Sequence, residues 1–124
     1  MPKVRAETSK KGKWYLPKHR FYELYHWCLQ YKEWKQEVNS LTTGESGMKR
    51  KAKLRKRIEL IESTARESDE QLAEYILRAV IDDAASYDWM KMWMNIPCSP
   101  DMFYDRRRKF LWLLDKHLEE SNVP

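Results

Sequence analysis

Glycine is scarce in this chain, with three in 124 residues. β-Branched residues are also few. Together these shortages argue against a large β-sheet. No glycine-rich loop is present that could cradle a phosphate. Cys28 and Cys98 are the only cysteines, and no Cys-x-x-Cys pair occurs. With only His19, His26 and His117 beside them, a zinc site is not expected. His26 and Cys28 would stand about 200° apart on a helix and could not share a metal. No apolar run approaches the ~18 residues of a membrane-spanning helix. The first residues, MPKVRAETSKKGK, lack the apolar stretch of a signal peptide. These absences point to a cytoplasmic protein with reduced thiols. The carboxylates fall in capping or surface contexts and do not gather as acid–base catalysis requires, so neither an enzyme nor a cofactor is expected.

What the chain does have is charge and aromatic mass. Charged residues make up 35% and aromatic residues 13%, with six tryptophans. Apolar positions recurring at spacings of three and four predict an all-α protein with a real core. The formal net charge of +5 is unevenly spread. Residues 49 to 57 hold Lys49, Arg50, Lys51, Lys53, Arg55, Lys56 and Arg57 with no acid, whereas residues 67 to 88 set seven acids against Arg78 alone. The basic stretches favour a polyanion; the acidic middle does not.

Three segments are expected. Residues 1–13 read as a disordered basic arm. Residues 14–67 read as a helical hairpin: one helix from Lys18 to Leu41 with a break near Tyr31 left open, a loop at 42–47, and a second helix from Met48 to about Arg66. Leu24, Trp27, Tyr31, Trp34, Val38 and Leu41 form the first stripe; Leu54, Ile58, Ile61 and Ala65 form the second. The stripes would face each other across the loop or pair between two copies in a homodimer. Residues 68–120 read as a three-helix unit, with Ser68-Asp-Glu-Gln71 as a capping box opening its first helix.

The end of that unit carries the most specific signal. Ser86 can cap a short helix, and Ile96-Pro97 is expected to end it. Ser99-Pro-Asp101 then starts a longer helix. That helix holds four consecutive cations, Arg106, Arg107, Arg108 and Lys109. With Phe110 at the centre of the buried side, Phe103, Leu113, Leu114 and His117 fall near it. Asp101, Tyr104, Asp105, Arg108 and Trp112 fall opposite, and Arg106 and Arg107 flank the stripe. Trp89, Met90, Trp93 and Met94 are too apolar to be mainly exposed, so the short helix is expected to be buried. A basic helix held by a short turn is how a helix-turn-helix presents its second helix to the DNA major groove. The candidate DNA contacts are Ser99, Asp101, Tyr104, Asp105, Arg106, Arg107, Arg108 and Lys109, with Lys49, Arg50, Lys51, Lys53 and Lys56 gripping phosphates. A solvated basic helix is the plainer reading of the same charge run.

Taken together, Phe21 to Trp34, Arg57 to Glu62, Tyr75 to Tyr87, Ile96-Pro-Cys-Ser99 and Phe103-Tyr-Asp-Arg-Arg-Arg-Lys-Phe110 resemble phage transcriptional regulators of the RinA/ArpU type. The C-terminal unit resembles region 4 of sigma factors. The resemblance spans about residues 18 to 118 and is strongest after 75. It implies activation of phage late genes in the host bacterial cell, through promoter double-stranded DNA and contact with host RNA polymerase. Where sigma-like units commonly carry a glycine before the turn, this chain has Asp82-Asp-Ala-Ala85.

Two other functions fit parts of the sequence. A small phage inhibitor of a host defence nuclease or polymerase would use Trp27, Tyr31 and Trp34 as a protein interface. A small terminase subunit would also combine a helix-turn-helix with helical oligomerisation, but its DNA unit normally comes first. Tyr104 beside Arg106 to Arg108 has the look of a nucleophilic tyrosine with a phosphate clamp, yet a surface tyrosine explains it with less.

Overall fold

The computed structural model describes residues 12–40 and 44–121. The chain is all-helical, and the described residues contain no strand. Among the described residues six helices follow one another: α1 (Lys18–Leu29), α2 (Tyr31–Val38), α3 (Glu45–Ser68), α4 (Ala73–Ile81), α5 (Tyr87–Trp93) and α6 (Pro100–Ser121).

The helix expected from Lys18 onward is broken, because Gln30 N–H closes onto Trp27 O, three residues back, at 3.3 Å. A tightened turn of that kind interrupts the four-residue ladder and separates α1 from α2. Trp27 and Trp34 meet edge to face across the break, with ring centroids 5.0 Å apart. Leu41 lies outside the described residues, as do Thr42 and Thr43 of the expected loop. The connection is displaced rather than shortened, since α2 already ends at Val38 and α3 already begins at Glu45. Gly44 precedes it at φ 100°, a backbone conformation that a side chain would resist.

The antiparallel hairpin forms between α2 and α3. Tyr31 Oη donates to Glu62 near one end, and Arg50 pairs with Glu37 near the other. Leu54, Ile58, Ile61 and Ala65 are buried as the spacing predicts. No residue from Glu45 to Lys53 is buried, so α3 begins as a helix bare of core.

The entry to α4 differs from the expected capping box. Ser68 is the last residue of α3, and its hydroxyl donates to Ala65 O at 2.7 Å. Asp69 instead closes the turn that leads into α4: its Oδ1 accepts from Gln71 N at 3.0 Å and Leu72 N at 3.1 Å, while α4 itself, from Ala73, has no side-chain cap. A carboxylate without a competing donor of its own is the better acceptor for two orphan amides. Further on, the bend before α5 needs no glycine. Asp82 Oδ1 accepts from Ala84 N at 3.0 Å, an aspartate turn that reverses the chain locally.

Two apolar clusters hold the fold. The larger draws Phe21, Leu24 and Cys28 from α1, Tyr31 and Trp34 from α2, Leu54, Ile58 and Ile61 from α3, Ile76 and Val80 from α4, and Phe110, Leu111 and Leu114 from α6. The expected segments 14–67 and 68–120 therefore share one core. The smaller cluster comprises Ala79, Tyr87, Met90, Ile96 and Phe103. The most extensive helix pair is α3 with α6, and α6 also packs against α1 and α4. The short α5 is held through Tyr87 and Met90, whose side chains reach the smaller cluster.

Candidate nucleic-acid interface

The α5–turn–α6 segment is built by local chemistry. Ser86 Oγ accepts from Trp89 N at 3.1 Å and caps α5. The helix ends before the proline expected to stop it. Asn95 takes a left-handed conformation at φ 52°, which an asparagine tolerates better than most residues. Ile96 N–H then points back to Met90 O at 3.4 Å, and the Ile96 side chain plugs the smaller cluster. Tyr87 Oη donates to Cys98 O and fixes the far side of the turn. Ser99 Oγ accepts from Met102 N at 3.2 Å, so α6 starts at the expected cap. Beneath its first turn, the Phe103 ring packs 5.8 Å from Tyr87 and 5.3 Å from Tyr104.

The short helix buries less than its apolarity suggests. Met90 is fully buried, while Met92 is 75% and Trp93 69% exposed. A helix of seven residues has one inner face, and Tyr87 with Met90 occupies it. Trp89 is half-buried, with the Arg78 guanidinium 5.4 Å from its ring.

The four cations of α6 are engaged within the protein. Arg106 Nε binds Asp69 Oδ2 at 3.0 Å, and its Nη1 binds Asp105. Arg107 does not flank the stripe but lies inside it, only 7% exposed. Its guanidinium stacks 5.0 Å from the Tyr104 ring and 5.9 Å from the Phe103 ring. Burial lowers its pKa, because a desolvated cation is disfavoured. Arg108 Nη2 stands 3.7 Å from Asp105 Oδ1, and burial lowers its pKa as well. Lys109 Nζ sits 5.4 Å from the Trp14 ring, which also packs 5.2 Å from Trp112. The Trp14 ring thus covers the outer face of α6 around 109–112. The buried face is turned toward Leu111, which is fully buried, while Leu113 is only half-buried.

Toward the start of α6 the surface is open. Asp101 is exposed and makes no hydrogen bond or ion pair among the described residues. Met102 is 42% exposed, and Tyr104 and Asp105 are half-buried.

The basic stretch of α3 divides in the same way. Lys49 pairs loosely with Glu45 at 3.5 Å, Arg50 pairs with Glu37, and Lys51 donates to Ser40 O. Lys53, Arg55 and Lys56 are exposed and form no ion pair among the described residues. Lys49, Lys53 and Lys56 recur at spacings of four and three and so share one face of the bare helix. Arg57 is set apart, half-buried with its guanidinium 5.3 Å from the Trp34 ring.

Burial disfavours the thiolate form of both cysteines. Cys28 is fully enclosed, and burial pushes its thiol far above the ordinary range. Burial also raises Cys98, with Asp69 adding to it. Among the described residues no three His, Cys, Asp or Glu side chains gather as metal ligands, and no helix is long and apolar enough to cross a membrane.

Sequence reasoning located the two serine caps and the basic stretch at the start of α3, though not that Lys49, Lys53 and Lys56 share one face of it. It missed the Trp14–Lys109–Trp112 stack and the exposed Met92–Trp93 pair. It also missed the central place of Arg107, although Arg107 stands four after Phe103 and three before Phe110. No protein-family model matches the chain, and no curated protein or solved structure matches it either.

Proposed function

We propose that this chain is a phage-type transcription regulator that binds double-stranded promoter DNA through α4–α6, with α3 gripping phosphates. The observation that carries the reading is the pair of serine-capped helices around a turn anchored by one buried side chain, Ile96. Ser86 and Ser99 fix both starts, Ile96 anchors the turn, and the opening turn of α6 stays exposed. That arrangement suits a helix whose N-terminal residues enter a major groove. The bare, basic start of α3 supplies the charge that such binding needs, since the cations of α6 are engaged internally. Late-gene activation and contact with host RNA polymerase extend the same reading through the resemblance to sigma-like regulators.

The test is a titration of labelled duplex DNA at several salt concentrations, with the purified chain. Binding that weakens steeply with salt and favours some sequences supports the reading. Absence of binding at 50 mM salt overturns it, because even non-specific contact is detectable there for a phosphate-gripping protein.

A protein-directed inhibitor is favoured by one observation: Met92 and Trp93 are largely exposed and Met102 partly so. Exposed methionine and tryptophan are typical interface anchors. Salt-insensitive capture of a host nuclease or polymerase, without DNA binding, would select this second reading.

A further inference from the structure

We infer that sequence is read by Asp101 and Met102, and that the arginine run of α6 holds the helix in place rather than reading bases. This inference rests on the proposal that α4–α6 binds DNA. It names the class of base each residue takes: the amino group of a cytosine for Asp101 and the methyl group of a thymine for Met102.

A side chain that reads a base edge must be exposed, near the start of the recognition helix, and able to make a new bond without breaking a structural one. Arg106 fails the last condition. Its Nε is bound to Asp69 Oδ2, and the other oxygen of that carboxylate caps the turn into α4. Withdrawing Arg106 to reach guanine would give up its bonds to Asp69 and Asp105. Arg107 fails the first condition, being buried against Tyr104 and Phe103. Arg108 and Arg106 both stand against Asp105, so its carboxylate is neutralised from within α6. Lys109 lies farther along, against the Trp14 ring.

Asp101 and Met102 meet all three conditions. Asp101 is exposed and without a partner, and Met102 presents an exposed thioether whose backbone N–H is already taken by the Ser99 cap. An ionised carboxylate only accepts hydrogen bonds. In the major groove it is therefore drawn to the cytosine N4 amino group and repelled by acceptor edges such as guanine O6 and N7. The methionine end has no such preference and gains by covering a thymine methyl. Neighbouring positions on a helix point about 100° apart. The two residues therefore face different bases within one short step.

The experiment is selection from a randomised duplex library, followed by sequencing. It uses the full chain, Asp101→Asn, Met102→Ala, and Arg108→Ala as a comparison. The parent chain is expected to enrich a site containing cytosine and thymine. Asp101→Asn should lose the cytosine preference, by roughly tenfold or more, and shift toward adenine, to which an asparagine bonds in two places. Its affinity for random DNA should hold or rise, since a negative charge near phosphates has been removed. Met102→Ala should lose the thymine preference at one position of the selected site. Both residues are exposed, so equal thermal melting of all variants separates readout from misfolding. An unchanged selected site in Asp101→Asn and Met102→Ala overturns the inference, and so does a cytosine preference lost only in Arg108→Ala. If the parent binds DNA but enriches no sequence, this inference fails and DNA binding stands. If the parent binds no duplex, both fail.

Discussion

Asp69 joins three helices through one carboxylate: Oδ2 accepts from Arg106 Nε at 3.0 Å, while Oδ1 accepts from the backbone of Gln71 and Leu72. The aspartate lies between α3 and α4, and its partner arginine is 37 positions later on α6. The arginine side chain is 32% exposed, so the ion pair alone is worth little, whereas the cap is worth about 0.5–2 kcal/mol.

The two partners should therefore respond unequally. Asp69→Ala is expected to destabilise the protein by about 1–2 kcal/mol, and Arg106→Ala by less than about 1 kcal/mol. Urea denaturation of both variants and the double variant measures the difference. Equal losses would mean that the carboxylate acts through the ion pair alone.

Phe110 and Trp93 should separate in the opposite sense from their sizes. Phe110 is fully buried in the larger cluster, whereas Trp93 is 69% exposed. Phe110→Ala is expected to cost about 3–5 kcal/mol. Trp93→Ala should stay within about 0.5 kcal/mol of the parent. Calorimetric melting checks both, and a large loss on Trp93→Ala would place that ring in a hidden contact.

The reasons for success and failure in reading the sequence are local. Ser86 and Ser99 were legible because a cap needs only the residue and its next three neighbours. The stripe Leu54, Ile58, Ile61 and Ala65 was legible because a long helix repeats its period several times. The break at Gln30 was legible only as an open alternative near Tyr31, because Trp27, Tyr31 and Trp34 keep helical spacing across it, and the closure onto Trp27 O decides it. Arg107 was misplaced because a hydropathy pattern sends arginine outward. The neighbouring rings of Tyr104 and Phe103 instead provide an aromatic face that a guanidinium can stack on. The expected DNA contacts among residues 106 to 109 likewise rested on charge, and charge does not reveal that Asp69, Asp105 and Trp14 stand beside them.

Asp82 links stability to acid. The Ala84 N–H, first, and the Lys32 ammonium at 3.2 Å hold its carboxyl below the ordinary aspartate range against an opposing effect of burial. The folded state therefore binds this proton less readily than the unfolded chain. The resulting stability is present above the unfolded pKa of about 3.9 and is lost as the pH falls through the lower folded value. Asp82→Asn should lower the melting temperature at pH 7 and narrow its gap from the parent as the pH drops below about 4. A gap that stays constant down to pH 2 would show that the carboxylate charge has no part in the turn.

The bare start of α3 makes the sharpest claim about nucleic acid. Lys49, Lys53 and Lys56 share one face, and no residue from Glu45 to Lys53 is buried. Replacing all three with glutamine should therefore leave the fold intact, with melting unchanged within a degree or two. If these ammonium groups grip phosphates, each contact contributes about 0.9 to the slope of log affinity against log salt. The triple variant should then lose about two to three units of slope and weaken on every duplex alike, because phosphate contacts carry no sequence information. Binding curves at four salt concentrations, on a selected and a scrambled duplex, measure both quantities. An unaltered slope would make this face a solubilising surface. A loss confined to the selected duplex would make it a reader of bases, and the roles of α3 and α6 would exchange.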